Sequence, residues 1–194
     1  MAQTPKDGKL LYHLTALDNL ESIIINDLQP RQGIQNFVDV ADYEILQGRN
    51  RFDLELYTPF HFFSSSPFSG KVQKDNPEKE FVYLALKRDL AEISKFMIVP
   101  SHPLHYKGEP LNWNEGIQQI NWDLLAMRDY SIQECKEACM AESIFKGRIA
   151  IKYFYCIYVR TIETKSKVEE LLRKQNCAEV PFVSLNSGMF INHD

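Results

Sequence analysis

No apolar run in the 194 residues approaches the ~20 needed to cross a bilayer, and the opening stretch from Met1 to Gly8 is polar. Neither a membrane span nor a secretory leader is therefore expected, and the chain is expected to work in the cytoplasm. Cysteine is scarce. Cys135, Cys139, Cys156 and Cys177 are too few and too scattered for a disulfide framework. Cys135 and Cys139 have a spacing found at some zinc sites, but no second Cys or His pair follows closely. Both read as small packing residues, and no metal is expected. Positive charge is short as well, with 22 Lys and Arg against 26 Asp and Glu, a net −4. The molecule as a whole repels phosphate, so any nucleic-acid function must rest on a local basic groove. The 8 glycines form no phosphate loop and no dinucleotide-binding pattern, and His-Glu-x-x-His and Gly-x-Ser-x-Gly are missing too.

What is present describes an ordinary globular chain: 44% hydrophobic, 25% charged and 12% aromatic. Disorder and collagen-like repeats are excluded. The length suits one domain covering residues 1–194, and neither an internal repeat nor a Gly/Ser linker divides it.

The patterning predicts a short strand from Leu10 to Leu14. A helix carrying Leu17, Leu20, Ile23, Ile24 and Leu28 at helical spacing follows, capped by Asp18 and stopped by Pro30. A second helix is expected from Val38 to Gln47, then the basic residues Arg49 and Arg51. Tyr57 to Phe63 reads as an aromatic strand, and Gly70 to Lys79 as a surface loop. Phe81 to Leu86 and Phe96 to Val99 are expected strands, and Ser101 to Trp113 irregular chain. Helical pieces are expected over Asn114 to Met127, Ser131 to Met140 and Val168 to Lys174. Strands are expected at Ile151 to Val159 and Val180 to Leu185. Helices concentrate in the first half of this reading and strands in the second. Without regular alternation, it predicts an α+β fold with mostly antiparallel pairing, not a doubly wound nucleotide fold.

Three features bear on chemistry. His13, at the end of the first strand, could project into a cleft, but a single histidine carries little information. A half-buried imidazole bonded to a backbone carbonyl is the simpler reading. Arg49 and Arg51 precede the strand carrying Phe60, Phe62 and Phe63. Guanidinium forks bind phosphates and aromatic rings stack on flat groups, which together suit a dinucleotide or a nucleic-acid strand. A solvated basic turn leading into a core strand explains the same residues equally well. Glu142 lies among inward-facing apolar residues whether its segment is helical, sharing a face with Cys135, Ala138 and Cys139, or extended, sharing one with Met140 and Ile144. A carboxylate so placed is either paired, with Lys136, Lys146 or Arg148, or working in a pocket.

Taken in order, these segments resemble the DarT family of DNA ADP-ribosyltransferase toxins. Tyr12-His13-Leu14-Thr15 with Asp18-Asn19-Leu20 is similar to the family's Tyr-His-Ile-Thr…Asn-Leu opening. Asp27-Leu28-Gln29-Pro30-Arg31 ends the first helix as the family's helix ends. Tyr57-Thr58-Pro59-Phe60-His61-Phe62 with Ser66-Pro67 resembles Tyr-Val-Pro-Phe-Tyr-Phe…Ser-Pro. Asn121-Trp122-Asp123 resembles an Asp-Trp pattern, and Ala141-Glu142-Ser143-Ile144 resembles Ala-Glu-Phe-Leu. The likeness runs from about residue 10 to residue 190. It departs where Met140 stands in place of the usual Gln, and where a shortened segment before Tyr57 leaves the choice between Arg49 and Arg51 open, with Arg51 favoured.

The resemblance implies an ADP-ribosyltransferase-like fold, with two small, mainly antiparallel sheets flanking an NAD cleft and helices around them. It implies transfer of ADP-ribose from NAD, the co-substrate, onto a thymidine or guanosine base of single-stranded DNA. A toxin–antitoxin role follows, the partner being a macrodomain antitoxin that reverses the mark. Glu142 would be the catalytic glutamate, assisted by Arg51 or Arg49. Tyr12, His13, Thr15, Asn19, Arg51 and Phe63 would line the NAD site. Lys71, Lys74, Lys136, Lys146 and Arg148 are expected to extend the arginines into a basic track. Two other readings keep part of this picture: a transferase of the same fold acting on protein or RNA, and a non-catalytic NAD- or nucleic-acid-binding module.

Overall fold

Near-continuous apolar runs make the middle of a sheet that is covered on both faces. In the computed structural model, which describes residues 4–33, 53–175 and 179–191, β1 (Leu10–Ala16) pairs along its whole length with β3 (Phe81–Lys87). The other strands are β2 (Thr58–His61), β4 (Met97–Val99), β5 (Leu111–Asn112), β6 (Glu142–Phe145), β7 (Cys156–Val159) and β8 (Phe182–Leu185). They are ordered β5-β4-β6-β2-β1-β3-β7-β8. Every pair is antiparallel except β7 with β8, which is parallel.

The architecture is therefore mixed α and β, as the patterning predicts, but the expected two sheets are one. The reason is a single register pair, Tyr12↔His61, which joins β1 to β2. On one side β1 is zipped to β3 over seven pairs, and on the other β2 is zipped to β6 over four. The sheet is thus two well-paired halves held together at a narrow waist.

Seven α-helices lie among the described residues: α1 (Leu20–Asn26), α2 (Pro67–Asp75), α3 (Arg88–Ile93), α4 (Trp113–Gln119), α5 (Trp122–Met127), α6 (Gln133–Ala138) and α7 (Ile162–Lys174). Helices and strands alternate irregularly through both halves of the chain, which corrects the expected segregation. The start of α1 also differs. Leu17–Asn19 forms a 3-10 turn and no side chain caps the helix, so Asp18 does not act as predicted. The helix ends at Asp27, whose φ of 68° breaks the backbone ahead of Pro30.

The expected loop over Gly70 to Lys79 is largely α2. Ser66 Oγ accepts the Ser69 amide at 3.3 Å, and Pro67 occupies the first turn, where its missing N–H costs nothing. The inward face is mostly polar (Ser69, Val72 and Gln73), which hides its helical period. Conversely, Ile120 is extended where one helix was expected across Asn114 to Met127, and Asn121 caps α5 through the Leu124 amide. Ile151–Tyr153 is a 3-10 turn, leaving only β7 of the predicted aromatic strand. Thr161 caps α7, which begins at Ile162, ahead of the predicted start at Val168. The helix expected from Val38 to Gln47 lies outside the described residues.

The two sheet faces are covered unequally. One carries the main core, with Leu11, Phe60, Leu84, Ile98 and Ile157 packed under residues of α1, α3 and α7. The other carries two smaller clusters. Leu14, Ala16, Phe81 and Tyr83 pack with Val72 and Phe190 over the β1–β3 half, while Leu54, Val99 and Ile144 pack over the β4–β6 half.

Candidate active site

The waist of the sheet, between the two smaller clusters, carries the titratable side chains. Register aligns Tyr12 with His61, His61 with Glu142 and Glu142 with Val99 across four strands. Residues opposite one another in antiparallel strands leave the sheet on the same face. That face is the one bearing Leu14 and Tyr83 on one side and Val99 and Ile144 on the other. Glu142 is only 3% exposed and His61 only 4%. The segment is a strand, which settles the choice left open above. Glu142 shares its face with Ile144, not with Cys135 and Cys139.

His61 is fixed by Phe68 of α2, whose ring lies 5.4 Å away at an interplanar angle of 30°. Tyr12 closes the row on the β1 side, its ring 6.3 Å from those of both Tyr83 and Tyr158. Burial pushes the Tyr12 phenol above its usual pKa, against the opposing fields of Arg88 and Arg128.

Beyond β4 the chain returns towards Glu142. His102 Nδ1 accepts the Leu104 amide at 3.2 Å, which places the proton of the neutral ring on Nε2. Its ring is 4.9 Å from that of His105, whose Nδ1 donates to Glu137 at 3.1 Å. Burial holds His102 below the ordinary histidine value. The charge of His105 pushes the same way, while the carboxylate of Glu142 pulls upward. Sequence reasoning passed over both His61 and His102. Alternation along β2 marks His61 as leaving the opposite face from Phe60. Nothing local marks His102, which reaches the site through the β4–β6 pairing.

Three of the residues predicted to bind the co-substrate, His13, Thr15 and Asn19, form a second group along β1 and the turn after it. His13 Nδ1 donates to the Pro59 carbonyl at 2.8 Å, the bond that the simpler reading required, and its ring lies 5.5 Å from Phe60. That bond leaves Nε2 as the acceptor of the neutral ring. Thr15 lies two residues on, and its hydroxyl accepts from the Asn19 amide at 3.2 Å. His13 sits in the wedge where β1 and β2 part beyond the Tyr12↔His61 pair. It is one residue from the Glu142 row, on the alternate side of the strand.

Phe63 is nearly buried, with the Arg128 guanidinium 4.5 Å from its ring centre. Phe60 and Phe62 are core residues, packed against Phe96 and Trp122. Neither is a stacking platform, which corrects that part of the expectation. Arg49 and Arg51 lie outside the described residues. Of the other basic positions, Lys71 pairs with Asp75, Lys136 lies within electrostatic reach of His102, and Lys146 approaches the Tyr57 ring at 5.9 Å.

Cys135 and Cys139 are buried free thiols pointing at the Leu124 and Leu125 carbonyls. Burial pushes the Cys139 thiol up to about 12, far from the thiolate that a metal needs. Among the described residues no group of His, Cys, Asp and Glu could hold a metal ion. No described helix is long and apolar enough to cross a membrane.

Comparison with known proteins extends this picture. The family model described as DarT, ssDNA thymidine ADP-ribosyltransferase, matches residues 12–191. Thermus sp. 2.9 DarT in complex with ADP-ribosylated ssDNA superposes with a TM-score of 0.85 at 19% identity, covering 98% of this chain and 100% of that one. The complex of the same protein with NAD+ gives 0.78 at 15% identity, covering 95% and 98%. Thermosipho africanus DarTG in complex with ADP-ribose gives 0.72 at 20% identity, covering 94% of this chain and 51% of that one. At these identities the structural likeness speaks for the fold. None of the curated proteins matches.

Proposed function

Because the chain belongs to the DarT family of single-stranded-DNA thymidine ADP-ribosyltransferases, we propose that its own site moves ADP-ribose from NAD onto thymidine, with Glu142 as the catalytic carboxylate. The observation that carries this assignment is the place of Glu142. It is a buried carboxylate on one face of the sheet, between two smaller clusters, with Tyr12 and His61 in the same row. The family description favours thymidine over guanosine as the acceptor.

In the reaction, the bond from the ribose to nicotinamide breaks, a base nitrogen bonds to the same sugar carbon, and that nitrogen loses its proton. Positive charge grows on the sugar as the first bond lengthens. A carboxylate facing the sugar stabilises that charge most strongly where water is excluded. Glu142 answers to this need because it is almost wholly withdrawn from water.

His13, Thr15 and Asn19 offer an imidazole, a hydroxyl and an amide along the end of β1. That donor and acceptor set matches ribose hydroxyls, and the Nδ1 bond of His13 to Pro59 orients its other edge. Tyr12 and Phe63 complete the proposed NAD wall. Arg51, or Arg49, is assigned to the pyrophosphate and the target base on sequence grounds alone. An unpaired strand suits the acceptor role because its base edges are accessible. A cytoplasmic toxin neutralised by a macrodomain partner completes the proposal, in keeping with the DarTG relative.

Incubating the protein with labelled NAD and separate single-stranded DNA, RNA and protein acceptors tests the assignment. Label is expected on thymidine-containing DNA. Label only on RNA or protein overturns the DNA acceptor, and binding of NAD without transfer or breakdown overturns the catalytic reading.

A further inference from the structure

We propose that His61 is a positioning residue for Glu142, and that its protonation switches off the carboxylate and sets the acid limb of the transferase. The inference rests on the assignment of Glu142 above. His61 and Glu142 are opposite partners in the β2–β6 ladder, so their Cβ atoms stand ~4.5–5.5 Å apart on one face. Both side chains are almost wholly withdrawn from solvent. A charge on one therefore acts on the other with little screening.

The ring has no room to avoid its neighbour. β2 ends at His61, and Ser66 then starts α2, which brings Phe68 back flat against the imidazole. Tyr12 bounds it on the β1 side. The ring stands beside the carboxylate, and while neutral it sets no opposing charge against Glu142. An imidazolium in the same place attracts the carboxylate and cancels much of its field. The sugar then loses its stabilisation. Histidine is the side chain that makes this change between about pH 5 and 8.

Among the described residues, the following groups face this pair. From β1 comes Tyr12, whose raised pKa keeps it a neutral phenol. From β6 comes Glu142, and from α2 the uncharged Phe68. His102 approaches Glu142 from beyond β4, with His105, Glu137 and Lys136 behind it. Its depressed pKa makes it titrate at lower pH than an ordinary histidine, and the His102→Gln variant isolates its contribution.

The test has two readouts. Transfer from NAD to a thymidine oligonucleotide is measured from pH 5.5 to 8.5 for wild type, His61→Phe, His61→Tyr and His102→Gln. Wild type and His102→Gln are expected to lose kcat by about tenfold per pH unit below the imidazole midpoint. Both His61 variants are expected to flatten that limb, with a reduced kcat at pH 8 and little change in KM for NAD. Equal limbs in wild type and His61→Phe overturn the proposal, as does a limb that vanishes only in His102→Gln.

The second readout needs no catalysis. In an NMR titration the His61 ring of the Glu142→Gln protein is expected to lose protons at lower pH than in wild type, because a neighbouring negative charge has gone. An unchanged midpoint overturns the coupling. If wild-type protein modifies no DNA at any pH while the midpoint shifts, the functional assignment fails and the His61–Glu142 coupling stands.

Discussion

Glu142 on β6 stands opposite His61 on β2, and the next strand places Tyr12 beside His61 on the same sheet face. The row crosses the one point at which the two halves of the sheet are joined. The proposed catalytic row thus coincides with the narrow join of the sheet: the strands part beyond this pair, and the polar part of β1 with His13 fills the gap.

Replacing Glu142 with Gln is expected to lower transfer by ~10²–10³-fold or more while leaving NAD binding within a few-fold of wild type. Gln keeps the shape and removes the charge, so thermal stability should hold. Equal losses in binding and rate, read from calorimetry and steady-state kinetics, would assign Glu142 to binding alone.

Acid should destabilise the fold through His102. Its folded pKa lies below the ordinary histidine value, so the unfolded chain binds the proton more readily. Stability is therefore expected to fall as pH drops through about 6.5, the unfolded value, and to level off below the folded one. His102→Gln should show a smaller drop in melting temperature between pH 7.5 and 5.5. An identical drop in both proteins contradicts this.

Arg88 is a structural cation. Its guanidinium donates to the carbonyls of Pro5, Lys6, Leu10 and Phe62 and lies over the rings of Phe62 and Trp122. Burial pulls its pKa down to about 10. Arg88→Ala strands two buried acceptors, the Pro5 and Phe62 carbonyls, and is expected to cost about 3 kcal/mol or more. Hydrogen exchange should rise first in the segment before β1. Exchange that is unchanged there while the protein is destabilised elsewhere would contradict the clamp.

Gly116 on α4 lies against β4. A Cβ there would collide with the Ile98 side chain, a branched core residue that cannot swing aside. Gly116→Ala is expected to destabilise by ~1–3 kcal/mol in denaturant titration, through overpacking. Ile98 neighbours Val99, the register partner of Glu142, so transfer should fall as well.

The sequence exposed strands well wherever a run was apolar on both faces, as in β3, because burial leaves a continuous signal. It hid α2, whose inward positions are mostly polar, and it merged α4 with α5, because Ile120 keeps the apolar period through a break made by backbone and by the Asn121 cap. Glu142 was legible because a carboxylate among apolar neighbours is costly and needs a reason. His61 and His102 were not, because their relation to Glu142 comes from strand pairing between segments far apart in the chain. The single joined sheet was equally invisible, since it depends on one cross-strand pair.

The central claim is that this molecule writes a covalent mark on thymidine. Mass spectrometry of single-stranded oligonucleotides after incubation with NAD, one containing thymidine and one lacking it, tests that claim most directly. The account predicts one added ADP-ribose on a thymidine base with wild type and at most a trace with Glu142→Gln. Modification of the thymidine-free strand, or an equal yield from both proteins, would contradict it.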